Sequence, residues 1–319
     1  MRVGRKVAWS GAVRVHGHDG AVCGTLPYMR ASSAARSLRV VSTAPPATVV
    51  DGPPAEPTHL ETIEDLLAQS GRGMAPIRKS FVQRPRESAD RVGPLAAFVK
   101  SHDERGLDFY LFIHALASKE PWTCVYPSRT WVRVLDLAST CETASATAGV
   151  SKALKRLEGR HLIIREGRQQ RQSVVRLLAE DGSGADYSRP LTVADGPWLN
   201  LPYSYWRHGH HVALNLPGKA MLLVALSLPD TFVLPQERMP AWYGWSKDTA
   251  GTGLQELRDL GVLSTRRDFV RDHKSPTGWR EEQHHQLIGD YSPEARRRAA
   301  AERRSRRSGK SRSVEAAVS

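Results

Sequence analysis

The chain has 319 residues, 40% hydrophobic and 25% charged, enough for one large core or two ordinary ones. Forty-six Lys and Arg against 33 Asp and Glu give a formal charge of +13 and a pI near 10.0. That balance points to a polyanionic partner, although an arginine-rich composition supplies part of it by itself. Cys23, Cys124 and Cys141 show no CxxC spacing, which argues against a disulfide framework or zinc site and fits a reducing, cytoplasmic setting. No apolar run reaches the ~20 residues needed to span a bilayer, and no signal-like block opens the chain, so no membrane partner is expected.

Residues 1–90 carry Gly, Pro, Ser, Ala and Arg without sustained periodicity and are expected to be mostly disordered. The exception is a short helix over 59–69, with Thr58 as N-cap. Met74 is read as an alternative start, in which case residues 1–73 would not exist in the natural protein. From Gly93 the pattern changes. An apolar helix over 107–118 precedes the extended "TCVYPS", and a second helix over 128–138 puts Trp131, Val134 and Leu135 on one face. A turn at 139–143 leads to a third helix over 144–158, then to "HLIIRE" and "SVVRLL", two β-rich runs joined by "GRQQRQ".

After a Gly-, Pro- and Asp-rich stretch at 180–197 the same order returns. It runs as a buried helix over 217–229, a short strand over 231–235, a short helix and turn over 237–246, a helix over 246–261, and two strands around "RDHKSPTGWR". Leu154-x-x-Leu157 followed by Leu162-Ile163 aligns with Leu254-x-x-Leu257 followed by Val262-Leu263 at an offset of 100 residues. Val125-Tyr126-Pro127 matches Val233-Leu234-Pro235, and Trp131 corresponds to Trp242. This internal repeat is the strongest feature of the sequence. His161 occupies the place of Gly261, a position that wants φ > 0.

Two copies of this order resemble tandem winged helix-turn-helix domains, and "VSKALKRLEGRHLIIREGRQQRQSVVRLL" resembles the recognition helix and wing of MarR- and GntR-type regulators. The resemblance covers roughly 93–178 and 198–289. It implies a mainly α fold with small β-hairpins (α+β), organised as module 1 at 91–180, a linker at 181–197, module 2 at 198–290 and a basic, disordered or partly helical tail at 291–319. It also implies that the third helix of a module enters the major groove while its wing touches the backbone or minor groove.

At 100° per residue the helix of the first copy turns Ala146, Val150, Ala153, Leu154 and Leu157 to one side and Ala148, Ser151, Lys152 and Lys155 to the other. Thr147 and Arg156 flank these faces. Hydroxyls beside lysines suit bases and phosphates, and a solvated face carries the same residue types. Arg165, Arg168, Arg171 and Arg176 against Glu166 give the hairpin a net +3, with Arg168 and Arg171 at its tip. Such arginines also keep an exposed hairpin from edge-to-edge pairing.

The second copy turns Ala250, Leu254 and Leu257 inward and Asp248, Thr252, Gln255 and Asp259 outward, with a net charge of −1 over 247–260 against +2 over 143–158. A negative face is a poor approach to phosphates. The DNA-contact set is therefore Thr147, Ser151, Lys152, Lys155, Arg156, Arg168 and Arg171, with Thr252, Gln255, Arg266, Arg267 and Arg271 as the weaker contribution of the second copy. Nine basic and three acidic residues from Glu294 onward add a sequence-independent attraction.

The histidines of "RHGHH" and "HH" lack a Cys or carboxylate at ligand spacing, and no nucleotide loop or catalytic triad is recognisable. No cofactor, metal or enzymatic activity is expected. Trp198, Trp206, Trp242 and Trp245 with Tyr203, Tyr205 and Tyr243 suit core packing better than a ligand pocket. The expected partner is double-stranded DNA and the expected role that of a transcriptional regulator. A replication initiator of plasmid or phage type and a protein-interaction scaffold are the rivals. The sequence is compatible with a homodimer and with a small-molecule effector.

Overall fold

The computed structural model describes residues 56–137, 143–169, 172–299 and 301–302. Over these residues the protein is mixed α+β with small antiparallel sheets. Helix α1 (His59–Gln69) and strand β1 (Met74–Arg78) open the fold. A first helix–hairpin unit follows, comprising α2 (Leu95–Lys100), α3 (Glu104–Leu116), β2 (Thr123–Tyr126), α4 (Ser128–Val134), α5 (Thr143–Gly159), β3 (Ile163–Gln169) and β4 (Gln172–Leu177). Strand β5 (Trp198–Pro202) and the short helices α6 (Ser204–Arg207) and α7 (His210–Ala213) lead to the second unit. That unit comprises α8 (Leu216–Ser227), β6 (Thr231–Val233), α9 (Met239–Tyr243), α10 (Lys247–Asp259), β7 (Leu263–Arg271) and β8 (Trp279–Leu287).

The helix expected over 59–69 is α1, and the expectation of disorder is corrected for residues 70–90; residues 1–55 lie outside the described residues. Thr58 and Glu61 close a capping box, in which the Thr58 N–H donates to Glu61 Oε2 at 2.8 Å and the Glu61 N–H to Thr58 Oγ1 at 3.3 Å. This starts α1, whose Ile63, Leu66 and Leu67 are buried. Strand β1 pairs antiparallel with β5, from Met74 opposite Pro202 to Arg78 opposite Trp198. Translation from Met74 would remove α1 and uncover the apolar surface it seals.

The two units repeat each other in detail. Their sheets run β2-β4-β3 and β6-β8-β7. Helices α5 and α10 end in the same Schellman motif. The His161 and Leu162 N–H groups donate to the Glu158 and Leu157 carbonyls, as the Gly261 and Val262 N–H groups do to Arg258 and Leu257. His161 sits at φ 56° and Gly261 at φ 72°, both left-handed, as the alignment requires. At the start of α3, Asp103 caps the Gly106 N–H at 3.1 Å and receives a bidentate pair from Arg156 of α5, 2.7 and 2.9 Å. At the start of α8, Glu256 of α10 accepts the Asn215 N–H at 3.0 Å. Arg156 and Glu256 stand 100 residues apart, so the contact is kept while its charge is reversed. The copies diverge at Trp131, fully buried against Phe109, and Trp242, half-buried under the Arg91 guanidinium. Helix α4 is also shorter than expected, with Asp136 in the left-handed region at φ 47°.

The division at 181–197 is corrected as well. Buried residues of both units, of α1 and of β1–β5 form one continuous cluster. The intervening stretch is pinned to it. Arg78 donates to Glu180 at 2.8 Å and to the Ser188 carbonyl at 2.6 Å, with the Glu180 carboxyl itself buried. The carbonyls at the end of α3 are capped from separate segments: Arg72 donates to Ala115 at 2.9 Å, Tyr203 to the same oxygen at 2.8 Å, and Arg189 to Ala117. Across the units, Lys219 of α8 lies 2.7 Å from both Glu104 and Asp108 of α3. Beyond β8, residues 293–299 are helical, with Arg296 and Arg297 facing Asp230. Residues 303–319 of the basic tail lie outside the described residues.

Candidate nucleic-acid interface

Helix α5 presents two chemically distinct faces because its apolar residues recur at helical spacing. Ala146, Val150, Ala153, Leu154 and Leu157 are buried. Ala148, Ser151, Lys152 and Lys155 are exposed, and neither lysine has an ion-pair partner among the described residues. Thr147 is half-buried.

Arg156 is placed differently from expectation. It is committed to Asp103, which Arg160 also grips. Burial alone would raise the Asp103 carboxyl; the two guanidiniums more than offset this and hold it below the usual carboxylate range. Arg156 therefore ties α5 to the start of α3, with 43% of its side chain still exposed. Gly106 makes this possible, since a Cβ there would fall 2.4 Å from the Asp103 carboxylate.

Two concavities flank the lysine face. One, of about 330 Å³, is lined by Arg105, Ser145, Gly149, Lys152 and Arg156 among others. Arg105, from the first turn of α3, is exposed and without an ion-pair partner among the described residues. The sequence reading missed it, because nothing local to "DERGL" reveals that it stands beside Lys152. The other concavity, of about 280 Å³, separates Ser151 and Leu154 from Arg165, Gly167 and Ser173 of the hairpin. The lysine face and the hairpin thus border a common cleft.

The basic field of this hairpin is narrower than composition suggests. Arg165 pairs with Glu158 at 2.6 Å, and Arg176 with Glu166 and with Asp186 at 2.6 Å. The register shifts between Arg165 and Arg168, with Gly167 at φ 94°, so the distal part of β3 bends. Arg168 lies opposite Ser173 beyond that bulge. Arg171 lies outside the described residues.

In the second unit the outward groups answer one another. Gln255 donates to Asp259 at 2.6 Å and accepts from Arg258 at 2.7 Å. Thr252 is exposed. Arg266 pairs with Asp268 at 2.8 Å and Arg267 with Glu281 at 3.3 Å, while Arg271 has no partner among the described residues.

Elsewhere, Trp206, Trp245, Tyr203, Tyr205 and Tyr243 are buried in the core. His59 Nδ1 lies 2.8 Å from the Arg133 carbonyl and its Nε2 2.9 Å from His211 Nε2. The carbonyl only accepts, so His59 donates through Nδ1 and, when neutral, receives the His211 N–H at Nε2. Among the described residues no cluster of three or more His, Cys, Asp or Glu is arranged to hold a metal ion, and no helix is long and apolar enough to cross a membrane. Burial pushes the Cys124 thiol up to about 12.

No protein-family model, no curated protein and no solved structure matches this chain.

Proposed function

We propose that the protein binds double-stranded DNA through two winged helix-turn-helix units, with α5 as the principal reading helix, and acts as a cytoplasmic, non-enzymatic transcriptional regulator. The observation that carries this reading is the face of Ser151, Lys152 and Lys155, exposed and unneutralised, beside a hairpin whose far end carries Arg168. Lysines reach phosphates, short hydroxyls reach bases or phosphates, and the B-form major groove admits a helix. Arg105 adds a cation on the same side. Helix α10 meets DNA less well, since its polar groups are already hydrogen-bonded to each other and its charge is negative.

Replication initiation is a second reading. The shared core favours it, because it ties the two units into one body. A regulator acting at a palindrome would instead be a homodimer, and the concavities beside α5 leave room for a small-molecule effector.

A titration at fixed salt tests the reading. Lys152→Ala is expected to weaken duplex binding by several-fold or more, and Gln255→Ala to leave it within about twofold. Equal, negligible losses would remove α5 as the principal contact.

A further inference from the structure

The β7–β8 hairpin carries two exposed aromatic rings, Phe269 and Trp279, for which the duplex reading has no role. Its register is continuous from Leu263 opposite Leu287 to Arg271 opposite Trp279, so directly opposed residues share a side and alternate along each strand. One side starts in the core at Leu263, His285 and Leu287, which are buried. Further out the same side carries Arg267, Phe269 and Arg271 on β7 and Trp279 and Glu281 on β8. Phe269 is 69% exposed and Trp279 54%.

The charges on the two sides are sorted. The opposite side holds Arg266 with Asp268, Arg280 with Glu282, and His284 within 4 Å of both acids, a ladder that neutralises itself. The aromatic side has one acid, Glu281, facing Arg267 at 3.3 Å. Arg271, directly opposite Trp279, has no partner among the described residues.

We propose that this aromatic face binds a single nucleic-acid strand, with Phe269 and Trp279 stacking on unpaired bases and Arg271 meeting the backbone between them. Aromatic rings interleaved with arginine form a sequence-tolerant stacking platform. In a duplex the bases are stacked on each other and offer no free ring face. Diagonal positions on an antiparallel ladder lie roughly 7–8 Å apart, so two nearby bases of an extended strand each take one ring. The continuous ladder, rooted in the core at Leu263 and Leu287, sets both rings on one side of the hairpin. A second copy docked on this face would bury Arg271, which has no carboxylate partner among the described residues, and the desolvation of that charge disfavours it. The inference does not depend on α5 contacting duplex DNA.

The test uses the full-length chain, with labelled oligothymidylate and oligouridylate of about 12 nucleotides and a duplex of equal length, at about 0.2 M salt to suppress attraction by the basic tail. The wild type is expected to retain at least one of the single strands, and the tighter of the two names the sugar. Phe269→Ala and Trp279→Ala should each weaken that binding roughly 5- to 150-fold, leaving duplex binding unchanged. Lys152→Ala should do the reverse, which separates this site from that of α5. Failure of the wild type to bind either strand, or unchanged affinity in both aromatic variants, overturns the proposal. So does a change from dimer to monomer on substitution with single-strand binding intact, which would assign the face to a second copy.

Discussion

Lys219→Met is expected to destabilise the protein by about 3–5 kcal/mol. The Lys219 side chain is 2% exposed and stands 2.7 Å from both Glu104 and Asp108. Its removal leaves two carboxylates facing each other with no counterion. Asp108 is already strained, since burial raises its carboxyl to about 6 even with the ammonium beside it, and its Oδ1 is buried without a hydrogen-bond partner. Methionine keeps the stem of the side chain, so the loss reports the missing charge. A denaturant titration should show a lowered midpoint, and Asp108→Asn in the same chain should recover part of it. Because α3 and α8 belong to different units of one continuous core, unfolding should stay a single transition. Two separate transitions would contradict the shared core.

Acidification is the second large effect. His114, His211 and His285 are buried. Burial lowers them to about 3, about 4 and about 4, with Arg72, His59 and Arg258, respectively, adding electrostatic opposition to a proton. Unfolded, each titrates near 6.5. Between those values the unfolded chain binds more protons than the folded one, so stability is full above about pH 6.5 and falls as pH drops toward 4. Asp108 and Glu180 act in the opposite sense, since burial raises both carboxyls and lets them hold a proton in the folded state, but three histidines outweigh two carboxyls. Below pH 4 the Asp103 carboxylate, held below its usual range, adds to the loss. The net cost between pH 7 and 4 is on the order of 5 kcal/mol, comparable with the whole stability of many domains. Urea titrations at several pH values check it, and a flat profile between 6.5 and 4 would contradict buried, neutral histidines.

Local signals in the sequence reached the candidate interface but not its surroundings. Helix α5 was legible because Ala146, Val150, Leu154 and Leu157 recur at helical spacing, and its end because His161 aligns with Gly261. Thr58 and Glu61 mark the start of α1 by their spacing alone. Strand β1 left no such signal. Its residues are covered on both sides, so "MAPIR" shows no alternation, Pro76 argues against a strand, and its partner β5 lies more than a hundred residues away. Without that pairing, residues 70–90 read as disordered and 181–197 as a linker. The roles of charged residues were hidden for the same reason. A helical wheel places Arg156 on a flank but does not show Asp103, 53 positions earlier. Arg165 and Arg176 counted as free charge until Glu158 and Asp186 met them.

The salt dependence of duplex binding tests the central claim most directly. The logarithm of affinity falls with the logarithm of salt by about 0.9 for each phosphate neutralised. Wild type and the Lys152→Ala/Lys155→Ala double variant carry the same tail, the same hairpins and the same core. If α5 faces the duplex, the slope of the double variant should be shallower by roughly two. An unchanged slope and unchanged affinity would show that these lysines face only solvent.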